Sequence, residues 1–278
     1  MGYRCFEVDV TDKVAHVRLS RPDELNSMVP EFWRELPEIV RSISDSGEAR
    51  ALVLSSTGRH FSAGMDLSVF AGGLGIAGDG EAARRSANFR LTVRRLQTTF
   101  TVFEQARMPV LVAVQGGCIG GAVDLACAAD MRYASRDAFF VVQETNIGMV
   151  ADLGTLQRLP KLIPDGVARE LVYTGRRLSA ARAAELGLVN EVFDDHESLV
   201  AGVLDVAREI AGKSPLVTWG NKESLLFARD HSVADSLDFI ATWQMGALQP
   251  TDMTEAFTAK AQKREPEYAD LPPVPDGL

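Results

Sequence analysis

Residues 108–117, MPVLVAVQGG, run from Met108 to Val114 without one polar side chain and then stop at two glycines. A strand that is apolar on both faces needs cover on both, which is the condition of a buried parallel sheet with helices packed against it. This segment therefore calls for an α/β fold large enough to bury a strand completely. The 278 residues, 46% apolar and 24% charged, are enough for such a core.

The rest of the chain supplies partners for that strand. CFEVDV and VAHVRLS flank Thr11-Asp12-Lys13 and read as a hairpin. From Pro30 to Ile43 the apolar residues Phe32, Trp33, Leu36, Ile39, Val40 and Ile43 keep helical spacing, with an interruption expected at Pro37. ALVLSS (51–56) is a second buried strand. AGGLGIAGDG (71–80) reads as a mobile glycine-rich loop, and a long helix over roughly 81–106 follows, its apolar side carrying Leu91, Val93, Leu96 and Phe100. GGAVDLACAAD (120–130) reads as a closely packed helix, DMRYAS and DAFFVV as strands. From about Leu178 the texture becomes Ala-rich, charged and amphipathic. That shift divides the chain into an α/β core over 1–190 and a helical part over 191–278, with LPPVPDGL as a disordered or strapped-down tail.

A net charge of −9 argues against a surface that tracks nucleic-acid phosphates, so no nucleic-acid partner is expected. Three cysteines (Cys5, Cys118, Cys127) form no CxxC pair and four histidines (His16, His60, His196, His231) no HxxxH pair. Neither a disulfide framework nor a metal site has support, and a reducing cytoplasm is the default compartment. No apolar run approaches the ~20 residues of a membrane span. The N-terminal MGYRCFEVDV lacks the core of a signal peptide, and the tail is not an SKL-type address.

Two glycine motifs carry the chemistry. In HFSAGMDL (60–67), Gly64 permits a tight turn that can leave the Met65 amide facing a cleft. In QGGCIGGAVDL (115–125), glycines join a buried strand to a helix whose first N–H groups point out of its end. Either motif alone is explained by close packing. Together, Met65 N–H and Gly121 N–H meet the requirement for holding an oxyanion. The third element is acidic. QETNIGMVADLGTLQRLP (143–160) reads as buried through Ile147, Met149, Val150, Ala151, Leu153 and Leu156, yet it holds Glu144 and Asp152 with no Lys or Arg between them. Asp124, one turn inside the preceding helix, adds a third acid. Burying an unpaired carboxylate costs several kcal/mol in principle, so three such groups suggest a task. GxSxG and P-loop patterns are missing, which leaves an oxyanion hole with carboxylates, a set suited to proton transfer beside a carbonyl.

HFSAGMDL followed by VAVQGGCIGGAVDLACAADMRYASRDAFF resembles the enoyl-CoA hydratase/isomerase (crotonase) superfamily. The likeness continues through TLQRLP, GRRLSAARAAELGLVNEVF and KREPEY, nearly the whole chain. Within it, Asp124, Glu144 and Asp152 match the Δ3,5-Δ2,4-dienoyl-CoA isomerases most closely, whereas hydratases usually carry Glu, Glu and Gly at these positions. Asn146 departs from the acidic residue expected there, and Lys260 from an aromatic common in the family. The resemblance implies a spiral of repeated ββα units with a C-terminal helical trimerisation region, giving a homotrimer or a hexamer of two trimers. It implies an acyl-CoA thioester as ligand, coenzyme A being part of the substrate and no separate cofactor. Ala63, Gly64, Asp66 and Leu67 would line the cleft, and the Met65 and Gly121 amides would hold the thioester oxygen. Lys263 and Arg264 would either meet the phosphates, across a subunit boundary, or form a solvated C-terminal face.

The implied reaction shifts both double bonds of a 3,5-dienoyl-CoA, in fatty-acid oxidation. Asp152 is assigned as base at C2 and Glu144 as acid at C6 after the family pattern, the reverse direction staying open, with Asp124 orienting the site. Burial and mutual repulsion should hold one of the acids protonated. Competing readings are hydration of a 2-enoyl-CoA, a Δ3-Δ2-enoyl-CoA isomerase, and a non-catalytic CoA-thioester-binding or RNA-binding relative.

Overall fold

The computed structural model describes residues 2–66, 68–69, 81–248 and 250–275. Leu67 and the glycine-rich stretch 71–80 lie outside the described residues.

Strands β1 (Phe6–Thr11) and β2 (Val14–Leu19) form the expected hairpin, paired antiparallel from Phe6–Leu19 to Thr11–Val14. Its two-residue tip, Asp12 and Lys13, has φ of 52° and 65°, the left-handed turn that matches strand twist. Helix α1 (Pro30–Ser46) runs on through Pro37 without the expected interruption. Proline removes the donor that Trp33 O would have received, and the Thr99 hydroxyl, from the next helix, stands 3.4 Å from that oxygen instead. After β3 (Ala51–Ser56) comes α2 (Ala82–Gln105), which buries only its last turns, through Thr99, Phe100, Val102 and Phe103. Leu91, expected on the apolar side, is exposed.

The chain then repeats one rhythm. Strand β4 (Val110–Val114) enters a large sheet, β5 (Gly117–Ile119) a small one, and α3 (Gly121–Ala128) follows. Next come β6 (Met131–Ser135) in the large sheet and β7 (Phe139–Val141) in the small one. A 3-10 turn, Glu144–Ile147, leads to α4 (Thr155–Leu162) and α5 (Asp165–Thr174). The last repeat reverses the order, with β8 (Leu178–Ser179) in the small sheet, α6 (Ala180–Glu185), and β9 (Glu191–Phe193) in the large one. The large sheet has the order β1-β2-β3-β4-β6-β9, parallel after the hairpin, and the small one β5-β7-β8. Each of these three repeats thus gives one strand to each sheet, whereas β1, β2 and β3 all lie in the large one.

Side chains of the large sheet alternate between two cores. Leu52, Leu54, Val110 and Val112 enter the main one. Ala51, Val53, Leu111, Ala113 and Tyr133 meet Leu199, Val203, Ala207 and Ala211 of α7 (His196–Ala211) on the opposite face. β9 and α7, both beyond residue 190, therefore complete the sheet and its cover, and the boundary expected at 190 falls within this layer. Helices α8 (Pro215–Asp230), α9 (Val233–Ala247) and α10 (Pro250–Gln262) follow. Buried Lys222 ties α8 to the core: its Nζ donates to Phe103 O (2.5 Å), Met108 O (2.9 Å) and Asp130 Oδ2 (2.8 Å). The described part of the tail is strapped down, by Val274 N–H on Asp45 O and by Asp270 on Lys13 and Arg50. Among the described residues, no helix is long and apolar enough to cross a membrane.

Candidate active site

The two glycine motifs, 53 positions apart at Ser62 and Gln115, meet where strands β3 and β4 end. Phe61 N–H donates to Gln115 O (2.8 Å), Ser62 N–H to Gly117 O (3.1 Å), and Ile119 N–H to Ser62 O (3.1 Å). The segments thus run side by side as a short parallel ladder. Gly64 closes it with φ +83°, and a Cβ there would lie 2.4 Å from Ile119 O. Only glycine permits that approach. Its consequence is the placement of the next amide: a Cβ built on Gly121 would be 3.9 Å from Met65 N. Gly121 opens α3, where the first N–H groups have no partner inside the helix. Among the described residues neither Met65 N–H nor Gly121 N–H donates a hydrogen bond.

A third segment, read from sequence only as a turn-rich loop, builds the wall opposite. Asn26 is buried, its amide accepting from Arg21 N–H and donating to Thr57 O and His60 O. That anchor brings Leu25 and Ser27 to the cleft. Ser27 Oγ donates to Asp66 Oδ2 (2.8 Å), and Ser68 N–H and Oγ both donate to Asp66 Oδ1. The Ser68 bonds, then Ser27, hold the Asp66 carboxyl below the usual carboxylate range. Buried asparagine in a polar loop was the available signal, since a buried amide must satisfy both its ends.

These segments enclose a cavity of about 660 Å³ lined by Ala63, Met65, Asp66, Gly121, Glu144 and Asp152, with Leu25, Ser27, Ile119, Gly120, Gln143 and Leu153 among its other walls. Ala63 and Asp66 thus stand at the cleft, Gly64 shapes it from behind, and Leu67 is outside the described residues. A larger depression of about 960 Å³ lies between α10 and the tail, bordered by Asp252, Glu255 and Asp270. It gathers none of the residues considered above except through Arg264, which is held by both oxygens of Glu255 at 2.6 and 2.9 Å. Arg264 is therefore spent on its own helix and Lys260 is exposed.

The acids differ in setting. Asp124 is fully buried. Its Oδ1 accepts the Thr155 N–H at 2.6 Å, and its Oδ2 has no partner among the described residues. Burial, then the charges of Glu144 and Asp152, push its carboxyl up to about 7. Glu144 lies against Gly120, whose φ of +55° and missing Cβ leave room: a Cβ there would be 3.4 Å from Glu144 Oε1. Its Oε2 is also buried without a partner. Burial and the neighbouring Asp152 raise its pKa. Asp152 is half-buried, raised by burial, and its carbonyl accepts from Gln97 Nε2 of α2 at 2.7 Å. Such acids cannot all ionise together near neutrality. The segment between them is less buried than its composition suggests: Ala151 and Leu153 are interior, whereas Ile147 is 48% and Val150 73% exposed. An apolar run that lines a cleft faces the cleft as much as the core, which the pattern alone does not distinguish.

Two unengaged amides with Glu144 and Asp152 around one cavity, and Asp124 buried behind them and outside the cavity's lining, can hold an enolate oxygen while moving a proton along a chain. The comparisons agree in kind. The mitochondrial Delta(3,5)-Delta(2,4)-dienoyl-CoA isomerase of Homo sapiens is 44% identical over 266 residues, 95% of this chain and 81% of that protein. The peroxisomal protein of the same description from Arabidopsis thaliana is 39% identical over 97% of this chain and 99% of its own length. Among solved structures, an enoyl-CoA hydratase from Bacillus anthracis superposes with a TM-score of 0.85 at 31% identity, covering 95% of this chain and 99% of that one. An enoyl-CoA hydratase from Mycobacterium tuberculosis H37Rv does so at 0.82 and 28%, over 95% and 98%. The family model for enoyl-CoA hydratase/isomerase matches residues 9–271, and the chain belongs to that family.

Proposed function

We propose that this protein converts a 3,5-dienoyl-CoA to the 2,4-dienoyl-CoA, in fatty-acid oxidation. The observation that carries the reading is the presence of Glu144 and Asp152 in one cavity with the free amides of Met65 and Gly121. The relatives described as dienoyl-CoA isomerases support it. Asp152, the more open acid, removes a proton from C2 of the bound thioester. The electron pair spreads over the thioester oxygen and along C2, C4 and C6. The Met65 and Gly121 N–H groups hold the oxygen, each donor contributing about 3 kcal/mol. Glu144, the more buried acid and raised by its neighbour, gives its proton to C6. The C3=C4 and C5=C6 bonds are thereby replaced by C2=C3 and C4=C5. Asp152 is left protonated and Glu144 ionised, and proton exchange with solvent restores both. Asp124 keeps the pair's surroundings short of one negative charge when it is protonated. No cofactor enters this sequence, coenzyme A being the substrate's own handle.

Ala63, Gly64, Asp66 and Leu67 belong to the substrate cleft in this reading. The exposed Leu237, Met245, Leu248 and Phe257 of the C-terminal helices and their junction support a homotrimer, alone or paired into a hexamer. Buried free Cys5, Cys118 and Cys127 support a reducing compartment. The cytoplasmic expectation is widened to that class, because the relatives carry mitochondrial and peroxisomal descriptions.

One observation favours a second reading, hydration of a 2-enoyl-CoA. Asp124 Oδ2 and Glu144 Oε2 are both buried without partners among the described residues, and two such oxygens could grip one water. The deciding experiment is turnover of a 3,5-dienoyl-CoA beside hydration of a 2-enoyl-CoA, for wild type and Asp152→Asn. Isomerisation that disappears in the variant supports the proposal. Brisk hydration without isomerisation replaces it.

A further inference from the structure

Asn146 stands where the family resemblance leads one to expect an acid, and its surroundings give it a use. Helix α5 ends at Thr174, with Gly175 in the left-handed region at φ +57°. The last carbonyls of a helix have no partner within it. Leu171 O is met by Gly175 N–H at 2.9 Å. The next ones are met from the turn Glu144–Ile147: Thr145 Oγ1 donates to Val172 O at 2.6 Å, and Asn146 Nδ2 to Gly175 O at 3.0 Å. The fit is close, since a Cβ on Gly175 would lie 2.4 Å from the Asn146 amide. A carbonyl oxygen only accepts, so the amide nitrogen must be the atom facing Gly175. The same nitrogen donates to Gln143 Oε1 at 3.1 Å, and Gln143 lines the cavity beside Glu144. Glu144 Oε2 has no partner among the described residues. The place of that carboxylate thus depends on the turn that carries it.

We propose that Asn146, with Thr145, is a positioning residue for Glu144. The pair fastens the acid's turn to the C-terminal end of α5, and Asn146 also holds the amide oxygen of Gln143. The inference rests on the proposed isomerase reading, in which Glu144 must reach C6. An alanine at 146 would leave Gly175 O and Gln143 Oε1 without that donor. The two donors at 145 and 146 therefore act in one direction, and losing either lets the turn shift. Displacement of a reacting group by a fraction of an ångström to an ångström costs turnover far more than it costs binding.

The test compares the wild-type chain with Asn146→Leu, Asn146→Ala and Thr145→Val in 3,5-dienoyl-CoA turnover, with thermal unfolding of each. We expect kcat to fall about tenfold in both Asn146 variants and about threefold in Thr145→Val, with KM within about twofold of wild type. Thr145→Val keeps the side-chain shape and covers the case in which an Asn146 variant does not fold. A lowered Tm with kcat unchanged in all three would overturn the proposal and leave Asn146 a helix cap only. A second readout needs no turnover, so it separates this inference from the isomerase reading. In a carbon-13 titration, the Glu144 signal is assigned by its loss in Glu144→Gln. The raised pKa of Glu144 should move back toward the ordinary range in Asn146→Ala, because a freed turn lets the carboxyl reach water. An unchanged titration contradicts the proposal even where wild type proves not to be an isomerase.

Discussion

The Oδ1 of Asp124 accepts a 2.6 Å hydrogen bond from the N–H of Thr155, the first residue of α4, and so caps a helix 31 positions away. The turn it fastens, residues 152–155, carries Asp152, whose carbonyl is held from the other side by Gln97. One acid of the trio thus secures the backbone of another.

This capping acid should give the protein a pH-dependent stability. Asp124 titrates near 7 in the folded chain against 3.8 in the reference state. Between those values the native state holds a proton that the unfolded state has released, so its contribution to stability is lost as pH rises from about 4 to 7. Asp124→Asn keeps an oxygen for Thr155 N–H and removes the titration. It should be more stable than wild type at pH 8, by on the order of 2 kcal/mol, with the advantage vanishing toward pH 4. Asp124→Ala, which leaves the Thr155 N–H unmet, should be less stable than Asp124→Asn by about 1 kcal/mol or more at either pH. Thermal unfolding between pH 4 and 8 checks both, and a pH-independent difference for the Asn variant would refute the cause given.

Gly64→Ala should separate the two amides proposed to hold the oxyanion. Alanine at φ +83° costs about 1–2 kcal/mol by itself, and its Cβ would meet Ile119 O at 2.4 Å. The backbone must then shift at the step that places Met65 N–H. Turnover should drop about a hundredfold, beyond what the loss of folded protein at the assay temperature accounts for. Steady-state kinetics on the folded fraction measures it.

The sheet was legible because its strands obey strong local rules: Val110–Val114 is apolar on both faces and β1–β2 alternate around a two-residue tip. Helix α1 shows where a local rule fails. Pro37 reads as a break, yet the hydroxyl of Thr99, 66 residues beyond Trp33, faces the Trp33 carbonyl that proline leaves open. The glycine motifs identified the two amides, since a positive φ and a helix start follow from glycine and its position. The roles of Ser27, Gln97 and Thr155 were not legible. Each acts through one hydrogen bond to a distant backbone or carboxylate, and such pairings leave no trace in the spacing of residues. Burial of Ile147 and Val150 was misjudged for a related reason, a cleft being absent from a one-dimensional pattern.

The raised carboxyls set the shape of the pH–rate curve. The proposed mechanism requires Asp152 ionised and Glu144 protonated, and both are raised, each chiefly by burial. Activity should therefore rise with pH through a limb above the ordinary carboxylate range of about 4 and fall again as Glu144 loses its proton. The two limbs belong to the coupled set of acids and not to single residues. A kcat/KM profile that stays flat from pH 4 to 8 would count against carboxylate proton transfer.

Lys222→Met should destabilise without touching the chemistry. The substitution strips a donor from Phe103 O, Met108 O and Asp130 Oδ2 in the interior. Removing one partner of a buried ion pair costs about 3–5 kcal/mol. Asp130 also accepts from Val110 N–H, which softens the loss. Denaturant unfolding should show it, while kcat of the folded protein stays near wild type.

The account stands on two carboxylates working at opposite ends of a conjugated chain, and solvent-deuterium exchange in Glu144→Gln tests that division directly. The variant is incubated with a 3,5-dienoyl-CoA in deuterated buffer, and the recovered thioester is examined by mass spectrometry and proton NMR. With Asp152 and both amides intact, the C2 proton should exchange while conversion to the 2,4-diene falls by a factor of about a thousand. Conversion at the wild-type rate, or loss of exchange at C2 together with conversion, would contradict the assignment of the two ends to two different acids.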